Sequence, residues 1–138
     1  MAETQNYSNH TRFDPKFHFF LLPLLLLCFI ASIFHVWKEQ TPANILLVPI
    51  TFGLLFAVTT ARMYAMKVQD RVIRLEETQR CERLGVPTEG LDIAHFIALR
   101  FASDQELPAL AARAKAENLT GKQIKQTIVS WRADDYRV

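Results

Sequence analysis

Two stretches decide the fold: residues 19–37, FFLLPLLLLCFIASIFHVW, and residues 43–61, ANILLVPITFGLLFAVTTA. Each is 19 residues long, and neither contains Asp, Glu, Lys or Arg. An uncharged apolar run of about 18 residues or more is long enough, as a helix, to cross a roughly 30 Å hydrocarbon core. The runs are joined by Lys38-Glu39-Gln40-Thr41-Pro42. The expectation is an all-α protein built on a transmembrane helical hairpin.

Working outward, Asp14-Pro15 reads as a helix start, with Asp14 as N-cap and Pro15 at the first helical position; Thr41-Pro42 repeats the signal. The helices are expected over 15–37 and 42–66. Residues 20–37 carry 12 Leu, Ile, Phe or Val. At roughly −0.3 to −0.6 kcal/mol each near the centre of a bilayer, these favour insertion by several kcal/mol, which His35 and Ser32 do not cancel. Pro23 and Pro49 each remove a backbone bond, to Phe19 and Ile45, so a kink is expected at both. A cleaved signal peptide is not indicated: the start is weakly basic, no small-x-small site follows, and a second apolar run arrives at once.

The basic residues set an orientation. The loop holds only Lys38, whereas Arg12 and Lys16 precede the first helix and Arg62, Lys67, Arg71 and Arg74 follow the second. The positive-inside rule then places both termini in the cytoplasm of a multi-pass inner-membrane protein. Phe17, Phe19, Phe20 and Trp37 suit the interfaces, and Arg62 can snorkel to the cytoplasmic surface.

Gly53, Ala57, Ala61 and Ala65 recur every four residues on the second helix, and Cys28, Ser32 and His35 form a small and polar stripe on the first. Small residues let helices approach closely in lipid. Folding about Gln40 sets Cys28 opposite the Gly53 region and Ser32 near Pro49. The stripes either close the hairpin on itself or dock on another subunit.

Beyond Ala61 lie 13 of the 16 Lys/Arg and 11 of the 14 Asp/Glu, a balance of +2 that implies no strong field for nucleic acid. The second helix is expected to continue to about Leu84 as a cytoplasmic stalk (67–84), with Val68, Val72 and Leu75 on its packed side. Asp70 with Arg74 and Glu76 with Arg80 stand as i,i+4 pairs. Gly85-Val-Pro-Thr-Glu-Gly90 is a break. Three short helices follow in a small cap (90–138). The first, 92–101, carries Phe96 and Phe101. The second opens on the capping box Ser103-Asp-Gln-Glu106, although Pro108 argues for an irregular first turn. The third runs over 120–131 to Trp131. A polar tail and a polar N-terminal arm (1–14) complete the chain.

No chemistry announces itself. The four histidines, His10, His18, His35 and His95, have no metal-ligand spacing, and there is no CxxC, H-E-x-x-H or Gly-rich phosphate loop. Cys28 and Cys81 fall in separate parts of the chain and suggest no disulfide. The chain therefore reads as no enzyme, with no metal and no small-molecule substrate. His35 or His18 could ligate haem or chlorophyll metal, and an interfacial imidazole bonded to water or a headgroup is the plainer reading. The cap could pass for a helix-turn-helix, but Asp134 and Asp135 follow Lys122, Lys125 and Arg132, and nothing is aimed at base edges.

Asn9-His-Thr-Arg-Phe-Asp-Pro15 with Phe17-His-Phe19, the segment KVQDRVIRLEE at 67–77, IALRFASDQELP at 97–108, and Ile124-Lys-Gln-Thr-Ile128 with Trp131-Arg132 resemble a family of short bacterial membrane proteins of unknown function. The resemblance implies a bacterial two-helix inner-membrane protein and carries no activity. The expectation is a non-catalytic accessory or scaffolding subunit, with lipid and other integral membrane subunits as partners. Gly53, Ala57, Ala61, Ala65, Cys28 and Ser32 would pack helices. Val68, Val72, Leu75, Phe96, Phe101 and Trp131 would hold the cap to the stalk or to a partner. The alternatives are a haem- or chlorophyll-ligating subunit of an electron-transfer or photosynthetic complex, and a membrane tether for a soluble protein or, less readily, DNA.

Overall fold

The computed structural model describes residues 5–11 and 13–134, and it is all-helical. A π-helical turn, Lys16–Leu21, leads into α1 (Leu22–Lys38). There follow α2 (Pro42–Arg83), α3 (Ile93–Leu99), α4 (Leu107–Ala116) and α5 (Gly121–Thr127). The chain divides into two compact units. One is Phe13–Met66; the other joins Met1–Arg12 to Lys67–Val138. Arg12, used above for orientation, and Asp135 lie outside the described residues.

In the first unit Asp14 opens the helix as expected, its carboxylate accepting from the backbone N–H of Lys16 at 2.9 Å. The turn before Pro23 is π-helical, so the missing proline donor coincides with a wide turn. α2 continues through Pro49 for 42 residues. Thr41 caps α2, its hydroxyl accepting from the N–H of Asn44 at 3.2 Å, while the Asn44 amide reaches back to the Glu39 carbonyl at 2.8 Å. By length and composition, Lys16–Lys38 (the π-helical turn with α1) and α2 are each apolar enough to cross a membrane.

Where α1 and α2 meet, less exposed residues recur in steps of four and three. They include His18, Leu22, Leu25, Phe29, Ser32 and Val36 on one side, and Asn44, Val48, Thr51, Leu55, Val58 and Arg62 on the other, with Leu21, Thr59 and Thr60 half-buried beside them. That 3.5-residue period is the seam of a left-handed pair. Midway, the Ser32 and Thr51 hydroxyls lie 3.0 Å apart and the Phe29 and Phe52 rings 5.7 Å apart. Towards the end remote from the loop, the Arg62 guanidinium sits 4.6 Å over Phe17.

In the second unit the core is formed by Cys81, Val86 and Leu91 with the buried faces of α3, α4 and α5. α2 ends in a Schellman motif. Gly85 is left-handed at φ 67°, its N–H bonds Glu82 O at 3.1 Å, and the N–H of Val86 bonds Cys81 O at 2.8 Å. Val86 and Cys81 are both in the core, which is the apolar contact that the motif usually carries. α4 ends in the same way, with Asn118 at φ 49° and Leu119 N–H on Ala114 O at 3.0 Å.

Three expectations need correction here. α4 begins at Leu107, not at a Ser103 box, which puts Pro108 in the first turn where its missing N–H costs nothing. The Glu106 carboxylate instead accepts from the N–H groups of Val129 and Ser130, at 3.0 and 3.1 Å. α5 stops at Thr127, because Ile128 turns extended and Trp131 forms an antiparallel bridge with Ala102. Among the described residues neither Asp70–Arg74 nor Glu76–Arg80 is an ion pair.

Candidate functional site

The small-residue stripe does not close the hairpin. Gly53, Ala57, Ala61 and Ala65 are all exposed, and a Cβ added at Gly53 would meet nothing within 4 Å. Cys28 is exposed too, whereas Ser32 is buried in the seam. The rest of the hairpin is turned outward: Leu27 is 64% exposed and Phe56 62%. Neither span has an interior of its own, so its oily surface is offered to whatever surrounds it.

The two candidate cofactor histidines stand apart. His18 Nδ1 lies 3.0 Å from the Asp14 carbonyl and so carries its proton there, with the ring edge-on to Phe13 and Phe17. His35 is exposed near the loop, its carbonyl accepting from the N–H of Glu39 at 2.9 Å. The structure does not bring them together, and no group of three His, Cys, Asp or Glu that could hold a metal ion occurs among the described residues.

The polar centre of the second unit is Arg80, only 3% exposed. Its guanidinium donates to Glu77 Oε2 at 2.9 Å, to Asp104 Oδ1 at 2.6–2.7 Å and to the Ala102 carbonyl at 2.6 Å. Glu77 is 5% exposed and takes a further, longer contact from Arg132 at 3.4 Å. A buried arginine with three well-placed acceptors locks α2 to the chain segment around Ala102. The hydrogen bond from Arg80 holds the Asp104 carboxyl below its ordinary 3.8, with the guanidinium charge adding to it. Burial pushes the neighbouring Cys81 thiol up, and Glu77 adds to the effect.

The surface of α2 that meets the helical cap is thus Ile73, Glu77, Arg80 and Cys81. Val68, Val72 and Leu75, expected on the packed side, are 60%, 46% and 60% exposed. Phe96 and Phe101 are buried, and Trp131 packs against the same core. Sequence reasoning missed Arg80 and Glu77, since an i,i+3 Glu/Arg pair on a charged helix carries no sign of burial. A hint was available: Ile73, Glu77, Arg80 and Cys81 keep the spacing of a single helical face.

It missed the N-terminal arm as well. His10 sits against Phe101 and Trp131, with ring centroids 5.8 and 5.7 Å away, and stacks on Tyr7 at 5.5 Å. His10 Nδ1 is 2.7 Å from the Tyr7 carbonyl, and Lys125 Nζ is 3.4 Å from Nε2. The backbone N–H of Asp134 donates to the Gln5 side chain at 2.9 Å. Residues 5–11 of the arm are therefore part of the second unit.

Beside Arg80 a cavity of about 510 Å³ is lined by Arg83, Arg132, Ser103, Gln105 and Ser130 among others. It sets the donors of these residues beside the Asp104 carboxylate. No curated protein and no solved structure matches the chain. The model of one family, described as "Family of unknown function (DUF6526)", matches residues 1–138, and the chain belongs to that family.

Proposed function

We propose that this chain is a non-catalytic integral membrane protein of the bacterial inner membrane. It serves as an accessory or scaffolding subunit of a larger membrane assembly. The observation that carries the reading is the outward exposure of the hairpin's apolar side chains. A two-helix unit in water would not leave so much continuous hydrocarbon uncovered. Lipid and neighbouring membrane helices remove that cost.

The arm supports the topology. The contacts of His10 with Phe101 and Trp131 join residues on either side of the two apolar helices in one compact unit, which is consistent with an even number of crossings between them. The basic residues after the second span favour the cytoplasm for that side. The outward Gly53, Ala57, Ala61 and Ala65 stripe then meets another membrane helix, and the cap holds the soluble face of the assembly.

The test is purification from native membranes in mild detergent, with mass spectrometry of what accompanies the chain. Other integral subunits in fixed ratio are expected. A lone chain, or recovery in the soluble fraction after alkaline extraction, would overturn the reading.

A further inference from the structure

Val68, Val72 and Leu75 are an anomaly of a specific kind. They sit on a helix segment rich in charge, on the side of α2 away from the buried Ile73, Glu77 and Arg80, and they are left open. Their steps of four and three residues are those of a coiled-coil seam. Extended backward in the sequence, the same steps reach Ala65 and Ala61; extended forward, they end at the polar Gln79 and Glu82. We propose that this stripe is the contact between two copies of the chain, paired as a short parallel two-stranded coil.

Residue type and charge choose this occupant. With Leu75 at a d position, Val72 falls at a, and a β-branched residue at a with Leu at d favours two parallel strands. The flanking positions are then Arg71 at g and Glu76 at e. In a parallel pair, g of one helix meets e of the other five residues on, so each Arg71 meets the second copy's Glu76. Both are exposed, and among the described residues neither has an ion-pair partner within its own chain. Val72 and Glu76 also border a cavity of about 560 Å³ whose other lining includes Arg83, Arg100 and Arg132 of the same chain.

Two turns of apolar seam are short for a dimer in free solution. The inference rests on the membrane reading for its strength. Two chains inserted in one bilayer with the same orientation are already parallel, and confinement raises their effective concentration.

The test is cysteine cross-linking of the full-length protein in isolated membranes, in a Cys28→Ala background with the buried Cys81 retained. Facing a and d positions bring Cα atoms within the roughly 7 Å that a disulfide needs. Leu75→Cys and Val72→Cys should each give a covalent dimer, and Arg74→Cys, off the seam, several-fold less. Equal yields at the three positions, or none at 72 and 75, would overturn the proposal. With Leu75→Cys as reporter, Arg71→Glu or Glu76→Arg alone should cut the yield several-fold, because like charges then face each other. The two together should restore it; a double swap as low as the singles would refute the pairing. Alkaline extraction of the same samples reads the membrane question separately. A cross-linked dimer in the soluble fraction would sink the membrane reading and leave the seam standing.

Discussion

Arg80 decides the stability of the second unit. Its three acceptors sit close around a guanidinium that water barely reaches. Arg80→Ala would leave the buried Glu77 with only the longer contact from Arg132, at 3.4 Å, a loss approaching about 3–5 kcal/mol and enough to unfold a small helical cap. Glu77→Leu with Arg80→Met should recover most of that, because the pair's desolvation cost goes with it. Urea denaturation followed by Trp131 fluorescence in a Trp37→Phe background measures both. The acid response belongs to the same residues. Asp104 is held low by Arg80, and Asp92 by the backbone N–H of His95. A depressed folded-state value means that each aspartate contributes stability above its ordinary 3.8, and that this is lost as the pH falls through the lower folded value. The unfolding midpoint should be flat near neutrality and drop below that range, less steeply in Asp104→Asn. Beyond the shared helical face of Ile73, Glu77, Arg80 and Cys81, little of this was legible in the sequence. Burial of an arginine depends on acceptors contributed from 22 and 24 residues away, at Ala102 and Asp104.

At the scale of elements, much was legible. The two long apolar helices, their Asp14 and Thr41 starts, the break at 85–90 and the cap's helices follow from apolar period, capping chemistry and glycine. The hairpin's register was close, since Ser32, set near Pro49 by folding about Gln40, meets Thr51. Of the two uses open to the small-residue stripe, closing the hairpin is the one that the structure does not show. A four-residue stripe of small side chains stands out to the eye, but the seam uses the 3.5-residue period, and Gly53 lies outside it. Gly53→Ala should therefore leave hairpin folding unchanged. Ser32→Leu should disturb it, because the seam has no room where two hydroxyls stand 3.0 Å apart. Thermal melts in detergent compare the two. In the cap, a Cβ on Gly121 would come within 3.0 Å of the Ala94 carbonyl, whereas one on Gly85 meets nothing but needs φ 67°. Gly85→Ala should cost about 1–2 kcal/mol from backbone strain alone. Gly121→Ala should separate α5 from α3, seen as faster hydrogen exchange in α5 with α4 unaffected. The helix ends were misread for a shared reason: Glu106 and Trp131 bond across the cap, and such partners override a local capping pattern.

At the scale of the whole molecule, composition put the hairpin where it could be found and left the cap's partners hidden. The arm read as polar and unattached because Tyr7 and His10 carry no periodicity. Their partners, Gln126 for Tyr7 and Phe101 with Trp131 for His10, come some ninety residues or more later in the chain. Removing residues 1–11 should uncover Phe101 and Trp131 and shift Trp131 emission to the red in the Trp37→Phe background, without changing membrane extraction. Equal emission with and without the arm would show that it contributes no cover.

That docking has a consequence for how the protein is made. Residues 5–11 are made some ninety residues or more before the Phe101, Gln126, Trp131 and Asp134 against which they rest. During synthesis the leading segment has nowhere to settle until α3, α4 and α5 have followed it. The clasp therefore closes late, and a bulky fusion ahead of it would interfere with the final act of folding rather than the first.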